Sequence, residues 1–341
     1  MTINVLHYDN NTTVTFPLQD GVYPLVHGFK HLASLTTSLL EGIRDMFTGL
    51  SGFPITPFTH ERLDHTAYAN LINRLVDANL DSICALGSTG LYPYLNTEEK
   101  EQAIRIAVEH TEHVPVLAGI GSLRLRDVLA NAEQAEKLGV KGLLLAPLSY
   151  QRLTEDEVYE LYRRVAEQVS VPICVYDNPP ATHFTFTDEL HAEIAKLAMI
   201  KSIKFPGMPF EDNGEQRIQQ LKAILPPDVT IGVSGDAFAP SGIQSGCDIW
   251  YSVLAGLFPR TAQYIFQHAQ QCTASQATEL SLNYAPLWDL FSQNLGGMRV
   301  MATAAEILGY TEAPCLPAPL TGLDLDSQAR LHTLISELEL I

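Results

Sequence analysis

From Leu50 onward, short apolar runs rich in β-formers alternate with segments of helical period, eight times in succession. The runs are residues 52–56, 82–86, 114–119, 142–146, 172–177, 200–205, 229–234 and 249–254. Alternation of this kind builds parallel strands with helical returns. Eight such units favour a closed barrel over an open sheet. The predicted fold is therefore α/β, a (β/α)8 TIM barrel with a C-terminal helical appendage. Capping signals sit where that plan needs them. Asn96 with Glu99 and Thr154 with Glu157 form capping boxes, and Gly139 stands where a helix should stop before the next strand.

After Pro259 the pattern is helical over about 260–272, 276–308 and 326–339, interrupted by the Pro-rich stretch from Pro314 to Pro319. The expected organisation is an N-terminal arm over 1–45, a barrel over 46–272 and a C-terminal helical region over 273–341. The arm carries a polar patch, Asp9 Asn10 Asn11 Thr12 Thr13, and pairs with none of the repeats. Met46, directly before Phe47, makes a start placed too far upstream an equally good explanation of it.

Composition removes several function classes. With 21 Lys plus Arg against 39 Asp plus Glu the formal charge is -18, which repels nucleic acid and anionic membranes at long range. Five cysteines without a C-x-x-C pair suggest neither a disulfide framework nor a zinc knuckle, so a reducing cytoplasm is expected. No run approaches the length of a membrane span, and no secretory signal opens the chain. The 11 histidines show no H-x-H or H-E-x-x-H spacing, which argues against a metal-dependent enzyme.

In a barrel of this type, catalytic groups sit at the C-terminal ends of strands. Lys204, in Ile200 Lys201 Ser202 Ile203 Lys204 Phe205, meets that demand at the sixth strand. A lysine there ordinarily snorkels or pairs with a carboxylate. Alternatively, a desolvated amine can attack a ketone to form a Schiff base. Lys201, three residues back, has the opposite side-chain parity and is expected to be peripheral. Gly87 Ser88 Thr89 Gly90 ends the second strand, where a glycine-bounded loop can offer N–H and O–H groups to a carboxylate or simply turn the chain. Tyr176 ends the fifth strand, as a hydrogen-bonded core tyrosine or as the proton carrier that imine chemistry requires.

Taken together, residues from about Phe47 to Leu320 resemble the dihydrodipicolinate synthase and N-acetylneuraminate lyase family of pyruvate-dependent class I aldolases. The resemblance rests on ordered motifs. Ile55 Thr56 Pro57 Phe58 closes the first strand, Gly87 Ser88 Thr89 Gly90 takes the carboxylate-binding loop's place, and Tyr176 with Pro179 matches the tyrosine motif. Ile203 Lys204 matches the Schiff-base strand, and Ser234 Gly235 Asp236 falls at a comparable turn. The resemblance implies a homo-oligomer, commonly a tetramer, with a dimer as the smaller option. By position it makes Lys204 the imine-forming residue, Tyr176 the proton-transferring hydroxyl, and Ser88 and Thr89 the carboxylate-binding relay. Gly87, Gly90, Tyr150, Ala181, Gly235 and Ile249 are expected to line the substrate. No metal or organic cofactor is implied, because the iminium itself draws electrons.

Departures from the family pattern bear on the second substrate. Ala181 stands where dihydrodipicolinate synthases usually carry an arginine that grips a carboxylate, so the bidentate clamp is missing. Pro147 Leu148 Ser149 Tyr150 replaces Pro-Tyr-Tyr, leaving Tyr150 or Ser149 to face the relay. Leu91 replaces the family's usual glutamate, Phe205 Pro206 replaces a polar pair, and His183 is a further loop candidate or a structural histidine. The expected activity is a lyase joining or cleaving pyruvate, or another 2-oxo acid, and an aldehyde, on a 2-keto-3-deoxy sugar acid or a sialic-acid-like substrate. The alternatives are 4-hydroxy-tetrahydrodipicolinate synthase, a keto-deoxy sugar acid dehydratase, and a barrel that binds a 2-oxo acid without turnover.

Overall fold

The computed structural model describes residues 46–207 and 213–341. The N-terminal arm expected over 1–45 lies outside the described residues. Eight parallel strands close into a barrel: β1 (Gly49–Gly52), β2 (Ser82–Ala85), β3 (Val116–Gly119), β4 (Gly142–Leu145), β5 (Ile173–Tyr176), β6 (Ile200–Phe205), β7 (Thr230–Ser234) and β8 (Ile249–Ser252). Each strand pairs with its sequence neighbours, and β1 closes the ring by pairing with both β8 and β2. The (β/α)8 barrel predicted from the alternation is the fold of the chain.

Helices return the chain between strands: α1 (His65–Asp77), α2 (Thr97–Glu109), α3 (Leu125–Leu138), α4 (Glu155–Ala166), α5 (Asp188–Ala195), α6 (Gly214–Ile224), α7 (Ala239–Gln244) and α8 (Pro259–Ala269). Their ends follow the sequence signals. Asn96 and Thr154 cap α2 and α4 with reciprocal boxes, and Gly139 ends α3 at φ 94°. Strand burial is complete or nearly so along β2 to β5, as a sheet covered on both faces demands.

Two expectations shift. The first strand, expected over 52–56, ends at Gly52. Phe53 makes the last bond to the sheet, through its N–H to the Ser252 carbonyl at 2.9 Å, and Pro54, with no N–H, cannot extend the ladder. Residues 53–57 thus become part of the barrel mouth. The continuous helical pattern over 276–308 is three helices, α9 (Ala274–Leu282), α10 (Ala285–Gln293) and α11 (Gly297–Ile307). Pro286 opens α10, and Leu295 at φ 61° with Gly296 at φ 111° turns the chain into α11. Helix α12 (Leu325–Glu337) follows the Pro-rich stretch and packs on α10 and α11.

Candidate active site

Lys204 lies in β6 opposite Tyr176 of β5 on one side and Gly232 of β7 on the other. Its side chain is buried, 4% exposed, and forms no ion pair among the described residues. Rings surround the ammonium instead. Nζ sits 3.9 Å from the Phe53 ring centroid, 4.4 Å from that of Tyr176 and 5.7 Å from that of Tyr251. Cation–π attraction holds the group, worth about 0.5–2 kcal/mol per ring contact, and no carboxylate has to be displaced before the amine meets an electrophile.

Two glycines make that cage possible. A Cβ on Gly87 would stand 2.5 Å from the Phe53 ring, and one on Gly232 would stand 2.3 Å from the Tyr251 ring. Both aromatic walls therefore depend on missing side chains. Lys201 points elsewhere, to Asp228 at 2.6 Å, as its parity requires.

Tyr176 is the hub of the polar groups. Asn178 Nδ2 donates to its hydroxyl at 2.7 Å, and Ser88 Oγ lies 3.2 Å away. With one lone pair taken by the Asn178 donor, the tyrosine proton is free to point at Ser88 or at a ligand. Ser88 belongs to the turn Gly87–Gly90, where Thr89 is 4% exposed and the Gly90 carbonyl accepts from Thr56 Oγ1 at 2.9 Å. Leu91, the apolar replacement beyond that turn, is wholly buried in the core at φ 64°.

Below the cage runs a buried hydrogen-bonded chain. Thr230 Oγ1 donates to Ser202 Oγ at 2.8 Å, Ser202 Oγ meets Tyr251 Oη at 2.6 Å, and the Cys174 thiol donates to that phenol at 3.3 Å. Burial pushes the Tyr251 phenol far above its usual range, so it stays protonated. Asp236, fully enclosed, accepts from Ser252 Oγ at 2.8 Å and Trp250 Nε1 at 3.1 Å. Burial pushes its carboxyl up to about 6, with those donors and the Lys204 charge pulling the other way. Behind Tyr176, burial pushes Asp177 up to about 7 and His191 down to about 4.

These groups open into a cavity of about 790 Å³. Lys204, Tyr176, Ser88, Thr89, Ala181 and Gly235 line it. Gly87 and Gly90 stay behind the wall and shape it. Four further candidates lie outside the lining. Tyr150 is 87% exposed and outside the lining, and Ser149 directs its hydroxyl to the Thr182 carbonyl. Ile249 is fully buried at the start of β8, in register with Gly232, and Tyr251 two residues on supplies the cavity side chain instead. His183 is exposed at φ 56°, ending the helical turn Pro179–Thr182. Asp236, noted in the turn after β7, lines the site, and so do Phe53, Asn178 and Tyr251, which were not singled out. Of these, only Asn178 carried a signal, standing two residues past Tyr176.

A parallel barrel with a buried lysine and a tyrosine on adjacent strand ends has the frame of a lyase of the class I aldolase type. The chain belongs to the dihydrodipicolinate synthetase family, whose model matches residues 46–338. It is 38% identical to a dihydrodipicolinate synthase structure from Agrobacterium tumefaciens, with a TM-score of 0.82 over 87% of this chain and 99% of that one. It is 27% identical over 288 residues to a 4-hydroxy-tetrahydrodipicolinate synthase of Alkaliphilus oremlandii, covering 84% of this chain and 97% of the relative. The fold also matches that of a dihydrodipicolinate synthase from Acinetobacter baumannii solved with pyruvate, at 23% identity and a TM-score of 0.77 over 86% of this chain and all of that one. Among the described residues no helix is long and apolar enough to cross a membrane.

Proposed function

We propose that the chain is a pyruvate-dependent carbon–carbon lyase that works through an imine at Lys204. The observation that carries this reading is the caged Lys204 amine beside a Tyr176 hydroxyl already bonded to Asn178 and Ser88. Nζ attacks C2 of the 2-oxo acid, and the carbinolamine oxygen leaves as water with a proton passed through Tyr176. The iminium then draws electrons as a C3 proton departs, forming the enamine. In condensation, the enamine carbon bonds to the aldehyde carbonyl, whose oxygen takes a proton, and water frees the product from the lysine. Cleavage runs the same steps backward. The turn at Ser88 and Thr89 holds the carboxylate with its N–H and O–H groups. No added cofactor enters this scheme, and cytoplasmic residence and a homo-oligomer accompany it as proposals.

The relatives' names favour 4-hydroxy-tetrahydrodipicolinate synthase as a second reading. Against it stands Ala181, which leaves an aldehyde carboxylate without a guanidinium on that side of the cavity. A 2-keto-3-deoxy sugar acid or sialic-acid-like substrate, and the related dehydration, share the imine and need no clamp at Ala181.

Incubation with pyruvate followed by borohydride reduction tests the imine. A covalent adduct that maps to Lys204 and is absent in Lys204→Ala is the expected result, with turnover down roughly 10⁴-fold or more in the variant. An unmodified protein, or an adduct retained in Lys204→Ala, would sink the proposal.

A further inference from the structure

A three-carbon 2-oxo acid joined to Lys204 is far smaller than the cavity of about 790 Å³, which leaves lining residues to meet a second substrate. Among the described lining residues Lys204 is the one lysine, and the enamine formed on it carries no positive charge when it meets the second substrate. No arginine or histidine lines the cavity among these residues. The acids there, Asp177 and Asp236, are 5% and 4% exposed, so neither offers a salt link to a ligand cation at the mouth. Beside the hydroxyl-bearing Tyr92 and Ser234, the lining carries Tyr94, Leu148, Phe238, Phe291, Leu295 and Met298. Two of these are exposed despite their size, Tyr94 at 53% and Leu295 at 91%. Leu295 is held there in the left-handed region at φ 61°, an arrangement that costs backbone energy to present an apolar side chain at the rim.

From this wall, and resting on the Schiff-base reading of Lys204, we infer that the acceptor is an uncharged aldehyde carrying an aromatic or large apolar group. A carboxylate tail would be desolvated with no cation to pair it, at a cost of several kcal/mol. Each sugar hydroxyl laid on this wall would lose its water partners, at about 1–3 kcal/mol. A ring gains instead, by about 25 cal/mol for each Å² of apolar surface removed from water, and by edge and face contacts with Phe238 and Phe291. The overall step is an aldol addition. The pyruvate methyl carbon bonds to the aldehyde carbon, the aldehyde oxygen becomes a hydroxyl, and no oxidant or reductant takes part.

The test uses the full chain in two stages. Borohydride trapping with pyruvate first reports the imine. Initial rates with saturating pyruvate are then compared for benzaldehyde, glyceraldehyde and succinic semialdehyde. The expected kcat/KM for benzaldehyde exceeds each of the others by about tenfold or more. A trapped Lys204 with glyceraldehyde or succinic semialdehyde preferred overturns the inference and leaves the imine standing. A trapped Lys204 with none of the three consumed overturns it equally. Absence of any adduct overturns the Schiff-base reading and this inference with it.

Discussion

Two buried polar regions flank the same strand end and are built on different terms. Beneath Lys204, Thr230, Ser202, Tyr251 and Cys174 form one continuous hydrogen-bonded chain. Behind Tyr176, Asp177 Oδ2 and His191 Nε2 approach to 3.4 Å without the alignment of a hydrogen bond, and neither ring nitrogen of His191 has a hydrogen-bond partner. The first region lies inside the barrel, where side chains from neighbouring strands converge on one axis and meet at close range. The second lies against α5, where the His191 ring is oriented by packing: Phe186 stacks on it at 4.7 Å and 6°, and Phe205 meets it edge-on at 4.7 Å. Convergence fixes atoms in place under the Lys204 amine. Stacking instead fixes a ring plane and leaves burial to suppress the charges.

A change at Tyr176, at the strand end the two regions flank, should have the largest effect. Tyr176→Phe keeps the ring over Lys204 and removes the hydroxyl bonded to Asn178 and Ser88. A fall in kcat of roughly 10²–10⁴-fold is expected, with imine trapping slowed and the thermal midpoint little changed. Full activity would remove Tyr176 from proton transfer. Tyr251→Phe strikes the chain lower down, leaving Ser202 and Cys174 without their shared phenol. Urea melts should report a loss of about 1–3 kcal/mol. A neutral result would mean that the interior chain does not hold the barrel floor.

The outer pair is probed by pH. Asp177, raised from 3.8 to about 7, keeps a proton in the fold that the unfolded chain has released, so its contribution to stability falls as pH rises through that window. His191, lowered from 6.5 to about 4, refuses a proton that the unfolded chain takes up, so its contribution falls as pH drops through 6.5 toward 4. Between about pH 4 and 6.5 the two slopes oppose each other. Asp177→Asn leaves the histidine slope alone, and stability measured by urea melts should then decline on acidification from pH 6.5 more steeply than in the parent. Parallel profiles for the two proteins would contradict the neutral-pair account. Smallest of all, Lys201→Met removes the half-exposed ion pair to Asp228 on the same strand as Lys204. Stability should change by about 0–1 kcal/mol with kcat unaltered. A large loss of activity would show that strand parity fails to separate the two lysines.

The barrel was legible because its signal is local and repeated. Periodicity names each unit, and capping at Asn96, Thr154 and Gly139 marks the helix ends within a turn. That Lys204, Tyr176, Ser88 and Thr89 line one cavity was legible because position at a strand end and residue chemistry coincide. Tyr251 was not, since one core aromatic among many carries no mark until Gly232 is seen to vacate the space its ring occupies. Tyr150 and Ile249 went the other way. No local pattern marks the Tyr150 phenol as exposed to solvent, and two residues along β8 separate a side chain in the packed interior from one at the cavity.

By itself, then, the sequence determined the (β/α)8 plan, the strand end on which Lys204 lies and the lack of an arginine at position 181. Each is written in one residue or in the period of neighbouring ones. Only the tertiary structure decided what surrounds that amine: the ring cage of Phe53, Tyr176 and Tyr251, the Asn178 donor to the tyrosine, and the apolar wall brought in by Leu295 and Met298 from beyond α10. Apart from Asn178 and Tyr176, those groups are far apart along the chain. Barrel closure and the docking of the C-terminal helices are what bring them within contact distance, and no local pattern records that distance.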